Sequence, residues 1–169
     1  SYIHVLRNIC RLKKLKIHWW TSFFFTQVYD NQGFNYKNVK RWAKKQVIGG
    51  NIFALEKMYV PINKDGIHWV LIEVDMKAKG IKFYDSMVSA LKPESAMSMM
   101  SAIAQYICKE GEKKGIDGLK ASQWNMAIVK GSPQQRNGVD CGVFMLQTGR
   151  SLMGIGAHAS SIRFNQDHI

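Results

Sequence analysis

The segment between residues 57 and 86 constrains the fold more than any other part of the sequence. Three short apolar runs follow one another there, and the turn-forming residues 63–66 and 77–80 separate them. Short apolar runs divided by Gly- and Asp-containing turns are typical of strands that pair in chain order. We therefore predict an antiparallel sheet of three strands, and in the third strand Ile81, Phe83 and Asp85 share one face.

Helical spacing of apolar residues occurs on both sides of this meander. Residues 2–14 predict a helix that ends in a group of cations, and residues 38–45 predict a short helix with Val39, Trp42 and Ala43 directed inward. After Pro93, residues 94–109 predict a helix packed on the sheet. Its predicted inward side consists of Met97, Met100, Ile103, Ala104 and Ile107. Helices around a strand meander predict a single α+β domain over residues 1–169.

Composition narrows the class of protein. Hydrophobic residues make up 46% of the 169 residues, which is enough to form a core and excludes a disordered chain. The aromatic run 19–25 is far too short to span a bilayer, which takes about 20 residues. Cys10, Cys108 and Cys141 form no C-x-x-C pair, and the histidines are scattered. We therefore expect no disulfide framework, no metal ion and no cofactor, and a reducing compartment.

The net charge alone does not identify the binding partner. The chain carries a formal net charge of +12, with basic clusters within residues 7–16 and 37–45. Such clusters are compatible with nucleic acid or an acidic protein surface as the partner. They are equally compatible with solvated helix faces that bind no partner.

Cys141 stands where a helix is predicted to begin. Turn residues at 131–133 and 137–138 delimit a loop, and Asp140 occupies the expected N-cap position. The free N–H groups and the dipole of a helix N-terminus stabilise a thiolate, so this is a favourable position for a nucleophile. The alternative is a small buried core residue, which suits Cys10 and Cys108 on the apolar sides of their predicted helices.

A cysteine nucleophile needs a base and a group that orients the base. His68 begins the second predicted strand and Asp85 ends the third, so neighbouring strands could bring them together. Gln135, in the loop before Cys141, could donate its amide to an oxyanion. A structural histidine and a turn-capping carboxylate are the alternatives for His68 and Asp85.

Three ordered blocks then carry a family resemblance. They are residues 66–69 (Gly-Ile-His-Trp), 83–87 (Phe-Tyr-Asp-Ser-Met) and 133–144 (Pro-Gln-Gln-Arg-Asn-Gly-Val-Asp-Cys-Gly-Val-Phe). They resemble the His-Trp, Tyr-Asp-Ser and Gln-x-x-x-x-Asp-Cys-Gly blocks of the SUMO/sentrin-specific, Ulp-type cysteine proteases, and residues 21–26, 39–42 and 59–62 are similar to that family too. The resemblance implies a papain-like α+β fold and cleavage after the C-terminal Gly-Gly of a ubiquitin-like modifier.

The resemblance also implies a role for each matching residue. Cys141 would be the nucleophile, His68 the general base, Asp85 the orienting carboxylate and Gln135 the oxyanion donor. Trp69 would form a wall of the narrow tunnel that admits the glycine tail. The further predicted substrate-binding residues are Trp42, Gln134, Asn137, Gly138 and Asp140.

Partner and context follow from the same resemblance. It favours SUMO or a related modifier and its conjugates as partners, rather than nucleic acid. It also favours a monomeric enzyme without a membrane span. The expected location is the nucleus, with the cytoplasm as the alternative. The family's upstream Trp-Leu-Asn-Asp segment and its final basic helix have no counterpart here, so we expect a piece of a longer protein. A protease for another ubiquitin-like modifier and a catalytically impaired basic binding module are the alternative functions.

Overall fold

The computed structural model describes residues 1–87 and 90–155. The α-helices in these ranges are α1 (Tyr2–Leu12), α2 (Ser22–Val28), α3 (Trp42–Gln46), α4 (Pro93–Lys113) and α5 (Cys141–Leu152). The strands are β1 (Ile17–Trp19), β2 (Tyr29–Asp30), β3 (Gly33–Phe34), β4 (Lys57–Lys64), β5 (His68–Asp75), β6 (Gly80–Tyr84) and β7 (Asn125–Ile128). No helix in the described ranges combines the length and the apolar character needed to cross a bilayer.

The main sheet has five strands in the order β1-β4-β5-β6-β7. Its centre, β4-β5-β6, is the predicted antiparallel meander, whereas both edge strands pair in parallel with their neighbours. The edge strands, of three and four residues, were not predicted, because parallel partners come from distant parts of the chain and leave little local pattern. The α+β prediction is confirmed, with helices packed on the mixed sheet.

Two predicted helices differ in detail from the structure. Residues 38–41 form turns, so α3 begins at Trp42 instead of residue 38, although Val39 and Ala43 are fully buried as predicted. In α4 the prediction for Met97 is wrong, because its side chain is 40% exposed. Ala96 and Met99 supply the buried surface at that turn of the helix.

Two apolar clusters lie against the sheet, and successive residues along each central strand pack in one cluster and then in the other. The larger cluster combines α2, α4 and the strand residues Met58, Val60, Ile62, Val70, Ile72, Val74, Ile81 and Phe83. The smaller cluster contains Leu6, Cys10, Trp19, Tyr59, Leu71, Tyr84 and Met145, and so joins α1 and α5 to the sheet. The alternation is the physical basis of the meander pattern in the sequence.

A tight turn determines where β5 begins. Asp65 and Gly66 both adopt left-handed backbone conformations, with φ of 54° and 76°. Glycine reaches this region without steric cost, and such residues close short hairpin loops. Lys64 pairs with His68 across the hairpin, so His68 becomes the first residue of the central strand.

Candidate active site

His68 and Asp85 meet at one end of the sheet. His68 begins β5 and Asp85 directly follows β6, and the antiparallel pairing of these strands brings the two ends together. Nε2 of His68 lies 2.7 Å from Oδ1 of Asp85, and the backbone N–H of Met87 donates to the same oxygen at 2.8 Å. Both side chains are about nine-tenths buried. The carboxylate is therefore held from two directions, and it holds the imidazole in turn.

This hydrogen bond leaves the other imidazole nitrogen available for chemistry. Asp85 accepts from Nε2, so a neutral His68 carries its proton there and presents a lone pair at Nδ1. Nδ1 is buried and has no hydrogen-bond partner among the described residues. A buried acceptor without a partner is unusual in a folded protein, and here it is a nitrogen ready to receive a proton.

Cys141 lies beside the start of β5. It is the first residue of α5 and is buried, and its Sγ is 3.9 Å from the carbonyl oxygen of Ile67, the residue before His68. A Cβ added to Gly142 would lie 3.3 Å from Cδ1 of Trp69, so the first turn of α5 packs closely against this part of the strand. The structure thus brings the helix N-terminus and its thiol to the end of the sheet that holds His68.

Gln135 is tied to the end of β6 from the loop before α5. Its backbone N–H donates to the carbonyl of Ser86 at 3.0 Å, and its Nε2 donates to the carbonyl of Asn137 at 2.6 Å. Ser86 follows Asp85 directly, so the predicted oxyanion donor is anchored next to the predicted orienting carboxylate. All four predicted catalytic residues are therefore carried by two adjacent strand ends, one loop and one helix N-terminus.

Among the predicted substrate-binding residues, Gln134 bonds within the protein. Its Nε2 donates to the carbonyl of Asp85 at 2.9 Å and to the carbonyl of Ser132 at 3.0 Å. These bonds fasten the loop to the strand end. Contact between Gln134 and substrate stays a prediction.

Asn137 organises the last turn before the helix. Its Oδ1 accepts from the N–H groups of Val139 and Asp140, both at 3.1 Å, and its Nδ2 donates to Oδ2 of Asp140 at 2.7 Å. The Asp140 side chain makes no capping hydrogen bond to α5, although the residue is at the predicted N-cap position. Gly138 is exposed, with no atom within 4 Å of where a Cβ would be. Substrate contact by these three residues stays a prediction.

The two predicted tryptophans are in different environments. Trp69 is half-buried and lies against Gly142, the residue after Cys141. Trp42 packs instead on the larger cluster, with its ring centroid 5.9 Å from that of Phe24. Its environment is that of a core residue, and its assignment to substrate contacts stays a prediction without added support.

Ser132 is a site residue that the sequence analysis missed. Its side chain is buried, and its hydroxyl donates to the carbonyl of Asp85 at 2.8 Å. The sequence Gly-Ser-Pro indicated a turn, and a turn serine gives no local sign of a partner 47 residues away.

Strand β5 also carries a buried carboxylate, Glu73. Glu73 accepts hydrogen bonds from Lys57, Tyr59 and Tyr84. Burial first, and then the charge of Glu73, raises the pKa of both tyrosines well above the ordinary value, so both stay protonated donors. Tyr84 precedes Asp85, so this cluster fixes the strand from which Asp85 extends.

Two large concavities lie elsewhere. One of about 680 Å³ runs between α1 and the start of β1, and one of about 690 Å³ lies between α2 and the start of α4. Neither is lined by His68, Asp85 or Cys141.

The sequence matches a known family over almost its whole length. Residues 2–165 match the family described as Ulp1 protease family, C-terminal catalytic domain. The match includes every predicted catalytic residue.

Curated relatives carry related names. Ubiquitin-like-specific protease ESD4 of Arabidopsis thaliana is 29% identical over 157 residues, which are 93% of this chain and 30% of that protein. Ubiquitin-like-specific protease 1A of the same organism is 33% identical over 80% of this chain and 26% of that protein. Human sentrin-specific protease 5 is 34% identical over 78% of this chain and 16% of that protein. The chain thus spans less than a third of the length of each.

Solved structures have the same fold. The C-terminal Ulp1 protease domain in complex with Smt3, the yeast ortholog of SUMO, has a TM-score of 0.70 at 25% identity, covering 90% of this chain and 62% of that one. A SUMO protease Ulp1 whose catalytic cysteine is oxidised to a sulfenic acid has a TM-score of 0.72 at 25% identity, covering 92% and 64%.

Proposed function

Because the chain belongs to the Ulp1 protease family and matches its C-terminal catalytic domain, we propose that it is a cysteine protease that cleaves after the C-terminal Gly-Gly of SUMO or a related ubiquitin-like modifier. One observation carries the proposal: Asp85 holds His68 through Nε2 and leaves Nδ1 without a partner, while the Cys141 thiol lies against the residue before His68. The names of the relatives and the Smt3 complex support the substrate class.

The reaction begins with proton transfer from the thiol. Nδ1 of His68 accepts the proton of Cys141, and the N-terminal dipole of α5 stabilises the thiolate. Asp85 keeps the imidazole oriented and stabilises its protonated form. The thiolate then attacks the carbonyl of the terminal glycine, and the carbonyl electron pair moves onto oxygen.

The oxyanion requires donors that are in place beforehand. The first N–H groups of a helix have no intrahelical acceptor, so the backbone N–H of Cys141 can donate, together with the side-chain amide of Gln135. Collapse expels the leaving amine, which takes its proton from His68. Water then hydrolyses the acyl-enzyme. Cleavage of a peptide bond would mature a precursor, and cleavage of an isopeptide bond would release the modifier from a lysine.

A tunnel explains selectivity for glycine at the end of the modifier. Trp69 stands next to the first turn of α5 and is half-exposed, so its ring can cover an extended tail that approaches Cys141. A side chain on the last two substrate residues would collide with such a wall.

We also propose a nuclear location for the whole protein, which imaging of the tagged full-length protein would test.

The first experiment is covalent labelling with SUMO that carries a C-terminal vinyl sulfone. We expect a single adduct on Cys141, measured by intact mass and peptide mapping, and no adduct with ubiquitin that carries the same group. Cys141→Ala should abolish labelling. The matched control is Cys108→Ala, because Cys108 is partly exposed and lies on α4.

Two results would contradict the proposal. Labelling that persists in Cys141→Ala would exclude Cys141 as the nucleophile. A folded protein that binds SUMO but forms no adduct and cleaves no precursor would instead be a binding module, which is the alternative that the basic charge favours.

A further inference from the structure

Ser86 makes two hydrogen bonds to Gln135, and none of the steps above uses its hydroxyl. Its Oγ donates to Oε1 of Gln135 at 2.5 Å, and its carbonyl accepts from the backbone N–H of the same residue at 3.0 Å. The serine is 8% exposed, so solvent competes little for these bonds. A buried hydroxyl is therefore fixed on the amide that is expected to stabilise the oxyanion.

The hydrogen-bond network determines which way this amide faces. The carbonyl of Asn137 can accept but cannot donate, so the group of Gln135 that faces it at 2.6 Å must be the amide nitrogen. Oε1 then faces Ser86, whose hydroxyl must be the donor. Of the two protons on Nε2, one is used by Asn137, and the second has no acceptor that the described residues supply.

We propose that Ser86 is a positioning residue for oxyanion stabilisation: its hydroxyl holds Oε1 of Gln135 so that the second Nε2 proton is presented to the tetrahedral intermediate. The inference rests on the proposed function. Without the hydroxyl, Oε1 loses its donor, and the bond from Nε2 to the Asn137 carbonyl is left as the restraint on the amide, so its orientation is less well defined. An amide that turns its oxygen toward the oxyanion repels the charge that it should stabilise.

The position of Ser86 leaves a second route that the experiment must separate. Because Ser86 follows Asp85 directly, its loss could instead move the carboxylate and disturb His68. An effect through Gln135 changes only steps that pass through an oxyanion. An effect through Asp85 changes the reactivity of the thiol itself.

The test is a double-mutant cycle with Ser86→Ala, Gln135→Ala and the double variant, assayed on SUMO with a C-terminal fluorogenic amide. We expect Gln135→Ala to lower kcat by about 10²- to 10³-fold, as is usual for loss of an oxyanion donor. Ser86→Ala should lower kcat by roughly tenfold with KM unchanged, and it should cost nothing more in the Gln135→Ala background. Ser86→Thr, which keeps the hydroxyl, should recover most of kcat.

Alkylation of Cys141 by iodoacetamide supplies a readout without an oxyanion, because the thiolate displaces iodide directly. We expect the alkylation rate and its pH profile to be the same in wild type and Ser86→Ala. The matched control is Ser101→Ala, a half-buried serine on α4 whose hydroxyl contacts Met126. This control should leave both cleavage and alkylation unchanged.

Three outcomes would overturn the inference: equal kcat in wild type and Ser86→Ala, additive losses in the double variant, or alkylation that slows in parallel with cleavage. If Ser86→Ala does not fold, Ser86→Cys replaces it, and its weaker donor should give a kcat between wild type and Gln135→Ala. A wild-type protein that neither cleaves nor labels would refute the proposed function. An active wild type with an unaffected Ser86→Ala would refute this inference alone.

Discussion

The two sides of the sheet are built differently. On the larger cluster, aromatic rings pack on one another: Trp20 stacks on Phe24 with centroids 3.9 Å apart, and Tyr106 meets Phe24 edge-on at 4.9 Å. On the side of the smaller cluster, polar groups hold the elements in register, with Glu73 in β5 and with Arg7, which donates to the carbonyl of Trp19. This second side carries α5, and therefore Cys141.

The difference separates stability from function. Dense apolar packing contributes most of the favourable free energy of folding, but the hydrophobic effect has no directionality. Directional hydrogen bonds contribute little net stability but fix orientation, which catalysis requires. We therefore expect substitutions of the hydrogen-bonded residues at the end of the sheet that holds His68 and Asp85 to lower activity with little effect on folding, and substitutions in the larger cluster to do the reverse.

The largest expected effect is at the end of the sheet that holds His68 and Asp85. Asp85→Asn should lower kcat/KM by about 10²- to 10⁴-fold, because an amide no longer fixes the tautomer of His68 or stabilises its charge. The change is nearly isosteric, so the midpoint of urea unfolding should stay close to wild type. A loss of activity that merely follows a loss of folded protein would refute the separation.

Trp20→Ala tests the larger cluster. The ring is fully buried between His18 and Phe24, and its removal should lower the free energy of unfolding by about 3–5 kcal/mol. Urea denaturation measures the loss. Active-site titration should show unchanged turnover per folded molecule at low temperature, and reduced turnover would contradict the comparison.

Gly149→Ala should affect both properties, because this residue joins α5 to the smaller cluster. A Cβ there would lie 2.1 Å from Cη2 of Trp19, whose ring is fully buried and cannot move aside. Replacing glycine by alanine normally stabilises a helix by about 1 kcal/mol. Here we expect the free energy of unfolding to fall by up to about 3 kcal/mol, because the added methyl overpacks the cluster. We also expect lower activity, because α5 shifts. Gly80→Ala, with open space around the added methyl, is the matched control.

The smallest effect concerns pH. Burial, and secondarily the charge of Arg7, lowers the pKa of His18 to about 3. The unfolded chain, with an ordinary histidine pKa near 6.5, binds the proton more readily, so this contribution to stability is complete above about pH 6.5 and is lost as pH falls toward about 3. At pH 5 the loss is about 2 kcal/mol.

Urea denaturation at pH 7.5 and pH 5 would measure this difference. It should shrink in His18→Leu and persist in His4→Leu, the control at an exposed histidine. Equal pH dependence in wild type and His18→Leu would exclude His18 as the cause.

The strand meander and the helix that begins at Cys141 were predictable because their signals are local. Alternation along β4, β5 and β6 follows from one residue facing each cluster in turn, and turn residues mark the strand ends. The short parallel edge strands β1 and β7 were not predictable from local signals, since their partners are about 40 residues away along the chain. The inward direction of Met97 was wrong because helical spacing alone does not fix which residues begin the buried side, and in the structure Ala96 and Met99 take that place.

The sequence by itself determined the family, the α+β class and the identity of the four residues proposed for catalysis, because ordered motifs and periodicity are properties of the chain. The tertiary structure decided what those residues do to one another. It bonds His68 to Asp85 through Nε2, leaves Nδ1 without a partner among the described residues, and ties Gln135 to Ser86. Hydrogen-bond direction depends on atoms that meet only when strand ends and loop converge, so no local pattern encodes it.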